Sequence, residues 1–286
     1  MIGNNPHPTR TTVGTRRPGE TAVEPDLDLP TLGPYLRRIR ESIHPADTRK
    51  HLSREKAASR VGLSAAYLRQ IEDGNRVPTL QALQLLASGY CLSAAQVKHI
   101  RELREPAIPL IGLDTLRAQV GQTPQILERL DHLDGVGILA GYFSPLWDVL
   151  AINNRLEQAL PGLRDAANLV VWHFLPPARQ VLANWDLEAT QIVLRLKTIL
   201  GRHRTSTASR KVLTRLQCFE EFRTRWTDSM DVTYRRDPWR PLRLHTITNH
   251  TVEVSIETST VSDTHGYRRL LLGIRRPLDP RPQPEQ

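Results

Sequence analysis

The stretch LSREKAASRVGLSAAYLRQIEDGNRVPT, Leu52 to Thr79, restricts the fold more than any other part of the chain. Ser53 stands before REKAASRV, where Ala57, Ala58 and Val61 recur on one helical face. A serine in that place caps a helix by accepting a free first-turn N–H. Gly62 suits the left-handed residue that closes a helix. Ser64 then caps AAYLRQIEDG, whose apolar face is Leu68 and Ile71 and whose end is Gly74. Two short helices joined by about three residues have helix-turn-helix spacing. The flanks complete a bundle. LGPYLRRIRESI brings Leu32, Leu36 and Ile39 before the pair. TLQALQLLASGY, opened by Pro78-Thr79, turns Leu80, Leu83 and Leu86 inward. SAAQVKHIRELR, capped by Ser93, adds Val97, Ile100 and Leu103.

The 286 residues allow two modest domains, and 39% hydrophobic content is enough for a core. Composition divides the chain. Residues 1–30 are rich in Pro, Thr, Gly and Arg without period and read as a disordered tail. Residues 31–105 hold the helical bundle. Residues 106–127, with Pro106, Pro109, Gly112, Gly121 and Pro124, read as a linker with one short helix. Residues 128–276 mix strands and helices, and 277–286 form a Pro-rich tail. A net charge of +9 favours a polyanionic partner. No apolar run is long enough to span a membrane, and the N-terminus has no signal-peptide core. The expected location is cytoplasmic, with Cys91 and Cys218 reduced and partly buried.

The first half resembles the XRE, or Cro/C1-type, helix-turn-helix repressors. LSREKAASRVGLSAAYLRQIEDGNRVPTLQALQLLA carries the likeness, through Gly62, Ser64, the IEDG helix end and Pro78. Ala57 departs from it, since the family usually has a larger aliphatic residue there, and implies a slightly smaller core. The resemblance implies that Ala65–Gly74 is the recognition helix in the major groove. Its outward residues would be Ser64, Ala65, Ala66, Tyr67, Arg69 and Gln70. Arg69 or Gln70 can read base edges by paired hydrogen bonds, and Ala65 and Ala66 can pack on thymine methyls. Tyr67 can meet phosphate or a base. Arg54, at a helix N-terminus that favours anions, can clamp phosphate. Asn75 and Arg76 can touch the DNA backbone. The other reading makes them ordinary solvated residues.

The second half begins with strand patterns in GVGILAGYF and Leu146–Ile152. A helical stretch follows, including DLEATQIVLRLKTILGRH with Ala189, Ile192, Val193, Leu196 and Leu200 on one stripe. Alternation then marks late strands around Leu242 and Leu244, around Val252, Val254 and Ile256, and around Leu270, Leu272 and Ile274. Asn249-His250 makes the turn between the first two of these. The order predicts an antiparallel sheet with helices on one side. It resembles the PAS-like ligand-binding domain of MmyB-type regulators, on WDVLAINNRLEQALPG, NLVVWHFLPPARQVLANWDLEA, FEEFRTRWTDSMDV and PLRLHTITNHTVEVSIET, in family order. That resemblance implies a sensor for an elongated apolar molecule such as a fatty acid. Candidate pocket residues are Trp147, Asn153, Trp172, Phe174, Trp185, Phe219, Phe222 and Trp226. Plain core is the alternative for each aromatic, and the spacing of Phe219, Phe222 and Trp226 is that of a buried helical stripe.

The expected architecture is therefore two domains, an all-α helix-turn-helix bundle followed by an α+β PAS-like domain with an antiparallel sheet. The glycines of GVGILAG do not match the dinucleotide fingerprint, because the third comes one residue late. His245 and His250 lack the partners of a metal site. No nucleophile elbow or phosphate loop is present. The chain reads as a DNA-binding transcription regulator and not an enzyme, with no cofactor or metal. Expected partners are an inverted-repeat operator in double-stranded DNA, a small lipophilic ligand and a second copy in a homodimer, with no membrane. A protein-interaction module with a degenerate helix-turn-helix is the alternative, because Ala65 and Ala66 are poor base readers.

Overall fold

The computed structural model describes residues 27–44, 51–246, 250–263 and 266–276. Residues 1–26 of the tail expected at 1–30, the tail expected at 277–286, and Asn249 of the expected turn lie outside them.

Five helices form the first unit: α1 (Leu32–Ser42), α2 (Arg54–Val61), α3 (Ala65–Glu72), α4 (Leu80–Gly89) and α5 (Ala94–Arg104). The caps hold as the residues dictate. Ser53 accepts from Lys56 N, Ser64 from Tyr67 N and Thr79 from Ala82 N, while Ser93 and Gln96 form a reciprocal capping box. Such a cap is worth about 1 kcal/mol. Gly62 takes φ 69°, where a side chain would be strained, so the chain turns there between α2 and α3. Leu36, Leu68, Leu83, Leu86 and Ile100 are fully buried in the core. Leu80, expected inside, is 60% exposed. The buried stripe of α4 runs through Ala82, Leu83, Leu86 and Ala87, and at about 100° per residue Leu80 lies a quarter-turn away from it.

The second unit opens with α6 (Leu113–Gly121) and α7 (Pro124–Gly135), then β1 (Leu139–Phe143) and β2 (Val149–Ile152). A helical stretch follows, α8 (Asn154–Ala159), α9 (Leu163–Ala166), α10 (Leu169–Trp172), α11 (Pro176–Val181), α12 (Trp185–Arg202), α13 (Thr207–Leu216) and α14 (Glu220–Asp228). The chain returns through β3 (Leu242–His245), β4 (Thr251–Asp263) and β5 (Gly266–Arg275). The sheet order is β2-β1-β5-β4-β3, and every pairing is antiparallel.

Strand alternation sends Leu139, Phe143 and Leu271 to one face and Ala140, Tyr142 and Leu270 to the other. Helices cover both faces, not one. The main core lies between the first face and α8–α14, while Val120, Ile126 and Leu130 of α6 and α7 seal the second. That overturns part of the expected linker at 106–127, whose Leu116, Val120 and Ile126 are buried. The expected strand Leu146–Ile152 shortens at its start because Ser144 Oγ accepts from Leu146 N (3.1 Å) and Asp148 N (3.0 Å), bending the chain through Trp147. Leu27 and Leu29, from the segment expected as a tail, are buried in the main core. Cys91 and Cys218, expected partly buried, are both exposed, since each sits in the turn after a helix.

The units meet along α5 and α12 and through the strap of residues 229–236. Val232 is buried in the core of the first unit. Met230 O accepts from Tyr35 Oη (2.7 Å) and Gln96 Nε2 (3.3 Å), and Tyr234 Oη donates to Glu102 (2.7 Å).

Candidate nucleic-acid interface and ligand cleft

Helix α3 presents Ala66, Arg69 and Gln70 to solvent. Ala65 and Tyr67 are half-buried, and Ser64 Oγ is committed to its cap. Tyr67 turns back toward the bundle, its hydroxyl accepting from Thr79 N at 3.4 Å. The Arg76 guanidinium lies 4.9 Å from the Tyr67 ring centroid, the geometry of a cation–π contact. Asn75 and Arg76 are exposed, their backbone N–H groups donating to Gln70 O. The exposed candidates are thus Ser64, Ala66, Arg69, Gln70, Asn75 and Arg76.

Arg54 does not stand free at its helix end. Its Nε donates to Glu72 Oε2 at 2.7 Å. Arg40 approaches the same carboxylate with Nε at 2.6 Å and Nη2 at 3.0 Å, and donates Nη1 to Leu52 O at 2.8 Å. Burial pushes the Glu72 carboxyl up, but the hydrogen bonds and charges of Arg40 and Arg54 outweigh it and hold the group below its ordinary value. The cluster ties α1, α2 and α3 together, which fixes the angle at which α3 is presented.

The second unit holds a narrow cleft between the sheet and its helices, with a cavity volume of about 50 Å³. Trp147 and Trp172 line it with Leu139, Leu156, Ile192 and Leu271. Trp147 sits at φ 68°, a strained value for a bulky residue. The Ser144 turn holds it there, and Asn168 Nδ2 braces the turn through Leu146 O and Asp148 Oδ1. Trp172 Nε1 donates to Pro161 O at 2.9 Å, so its indole is anchored before anything binds.

The remaining candidates lie elsewhere. Asn153 caps α8, its Oδ1 accepting from Ala140 N and Leu156 N and its Nδ2 donating to Ile138 O. These bonds tie its amide to the backbone, and Asn153 is not among the residues lining the cleft. Phe174, Trp185, Phe219, Phe222 and Trp226 form an aromatic stack beside the cleft, with ring centroids 5.4–6.4 Å apart. They pack α10, α12 and α14 together, and none of them lines the cleft.

The cleft's polar groups were not among the candidates. Glu188, Arg195, Arg236 and His173 all line it. Arg236 grips Glu188 with both terminal nitrogens, Nη2 to Oε1 at 2.7 Å. Burial raises the Glu188 carboxyl, and Arg236 more than offsets it, leaving the group below its ordinary value. Arg195 Nε is buried without a hydrogen-bond partner. Burial, Arg236 and Arg269 draw the Arg195 guanidinium down to about 10, against the opposing pull of Glu188. His173 is pushed down to about 4 by burial and is neutral, with Nδ1 2.7 Å from Leu169 O. The signal was in the sequence. Glu188 and Arg195 are seven residues apart and so share one face of α12, at the edge of its apolar stripe beside Ile192.

A helix-turn-helix bundle joined to an α+β domain with an apolar cleft is the layout of a DNA-binding transcription regulator with a ligand-binding domain. The comparisons agree. The family described as the MmyB-like transcription regulator ligand binding domain matches residues 122–283, more than half of the chain. A helix-turn-helix domain family matches residues 31–100. The chain belongs to the MmyB-like transcription regulators. No curated protein matches it. Among the described residues, no helix is long and apolar enough to cross a membrane.

Proposed function

We propose that this regulator reads an inverted-repeat operator as a homodimer and answers to an elongated apolar molecule with an anionic head, such as a fatty acid. Arg69 and Gln70 supply base-edge contacts, Ala66 meets thymine methyls, and Asn75 and Arg76 meet the DNA backbone. The half-sites lie about 34 Å apart, one helical turn. The protein works in the cytoplasm and performs no catalysis.

The observation that carries the ligand reading is Arg195, a buried guanidinium nitrogen without a partner beside an apolar cleft. A carboxylate there would supply its missing acceptor, while the chain lies against Trp147, Trp172 and the leucines. Arg236 extends the effect, because it joins Glu188 in the cleft to the strap whose Val232 is seated in the DNA-binding core. A head group that competes for Arg236 therefore biases how the helix-turn-helix is held.

Thermal unfolding of the full chain with palmitate and with methyl palmitate tests the ligand. At 100 times its dissociation constant palmitate stabilises by about 2.7 kcal/mol, and the uncharged ester much less. Equal stabilisation by both removes Arg195 from the reading. Selection from random DNA then tests the operator. A paired half-site is expected, with binding that falls steeply as salt rises. A single half-site opposes the dimer, and salt-independent retention favours a protein partner.

A further inference from the structure

A second cavity lies where the two units meet, with a volume of about 280 Å³ and open on one side. Leu27, Leu29 and Trp226 form apolar walls, and Tyr35, His99, Lys197 and a second cation, Arg38, are among the other lining residues. Neither unit makes this cavity alone, since Tyr35 and His99 come from α1 and α5 while Lys197 and Trp226 come from α12 and α14.

Its polar groups are unusual for a domain junction. Lys197 is 4% exposed, and burial draws its ammonium down to about 8, with Arg38 adding to the effect and Asp231 and Asp228 opposing it. It donates to Ser229 O and lies 5.7 Å from the Trp226 ring centroid. An ammonium has three donors, so that bond leaves others for a ligand. His99 is 0% exposed, and neither ring nitrogen has a hydrogen-bond partner. Its ring meets Tyr35 edge-on at 4.9 Å. Gly201 of α12 makes room for it, because a Cβ there would stand 2.8 Å from His99 Cε1. Burial lowers His99 to about 4, so near neutrality the ring has one donor and one acceptor nitrogen. Buried polar side chains usually have partners. Here two such groups face a half-open apolar cavity, one of them cationic. Asp28 is the acidic lining residue and is exposed.

We propose that the junction cavity is a second small-molecule site, separate from the cleft, which takes a small aromatic carboxylate. The carboxylate meets Lys197, the ring lies along Trp226 and the leucines, and a neighbouring hydroxyl reaches His99. Because both units build the site, its ligand holds them in one arrangement.

Isothermal titration of the full chain with salicylate, and with salicylamide as the neutral counterpart, tests this. Salicylate is expected to bind saturably, with salicylamide at least tenfold weaker. Lys197→Met is expected to lose at least tenfold in salicylate affinity, and the cleft variant Arg195→Met to stay within twofold. Absence of saturable binding overturns the site. Binding lost in Arg195→Met but kept in Lys197→Met overturns it too, by moving the anion to the cleft. If Lys197→Met does not fold, acetylation footprinting of the parent protein decides. Salicylate should shield Lys197 and leave Lys98 and Lys211 as reactive as before, and equal labelling of Lys197 with and without salicylate overturns the proposal. The palmitate result bears on neither outcome.

Discussion

Glu72 in the DNA-binding unit and Glu188 in the ligand-binding unit are both buried carboxylates set among arginines, yet they do different work. Glu72 is shared by Arg40 and Arg54, with Arg37 at 3.7 Å on the same side. Around Glu188, Arg236 takes the carboxylate and Arg195 keeps a buried nitrogen unpaired. A closed cluster fastens helices together. An open one beside an apolar cleft keeps a cation in reserve, which is tolerable only if something else supplies its acceptor. Each cluster keeps a buried arginine nitrogen without a hydrogen bond, Arg37 Nε in the first and Arg195 Nε in the second, and what separates them is the apolar cleft beside Arg195.

The largest effect should come from breaking the closed cluster. Glu72→Ala takes from Arg40, 5% exposed, the buried carboxylate that accepts from its Nε and Nη2, leaving it Leu52 O and the partly exposed Glu41. Urea unfolding is expected to show a loss of about 3–5 kcal/mol. A loss under about 1 kcal/mol would make the cluster ornamental.

Acid comes next. His99 and His173 have folded values drawn from 6.5 down to about 4 by burial. The unfolded chain therefore binds the extra protons. The stability these groups contribute is complete above about pH 6.5 and is lost as pH falls toward 4, on the order of 3 kcal/mol for each. Unfolding measured from pH 7.5 to 4 should slope downward, and His99→Phe should flatten the slope. The lowered carboxyls of Glu72 and Glu188 add to the loss only below about 4.5.

Opening the comparison from the other side, Arg195→Met should leave stability within about 1 kcal/mol of the parent or raise it, because an apolar group replaces a poorly paired charge. The same variant should lose tenfold or more in palmitate affinity by tryptophan fluorescence. Destabilisation as large as that of Glu72→Ala would make the two clusters alike.

The smallest effect belongs to Arg54→Ala, at about 1 kcal/mol of stability, since Arg40 still holds Glu72. If Arg54 serves Glu72, the salt slope of DNA binding stays as it is. A slope flatter by about one unit returns Arg54 to the phosphates.

The helix-turn-helix was legible because its signals are local. Ser53, Ser64 and Ser93 cap helices through bonds spanning three residues, and Gly62 turns the chain by its own backbone. The later strands were legible from alternation, as Leu242, Leu244 and Val254 show by being buried. The ligand site was not. Of the seven aromatic candidates and Asn153, only Trp147 and Trp172 reach the cleft. Phe174 and its neighbours have the same composition but close on each other, and no local pattern distinguishes a wall from a core.

By itself the sequence determined what depends on near neighbours: helix ends, strand faces, the helix-turn-helix spacing and the order of elements in both units. Those follow from hydrogen bonds and periodicities within a few residues. Only the tertiary structure decided that α6 and α7 seal the second face of the sheet, that Arg54 turns to Glu72, and that Arg195 lies unpaired in the cleft. The reason is distance along the chain. Glu188 meets Arg236 across 48 residues and Tyr35 meets Met230 across 195, so whether a buried charge finds a partner is settled only when the chain has closed.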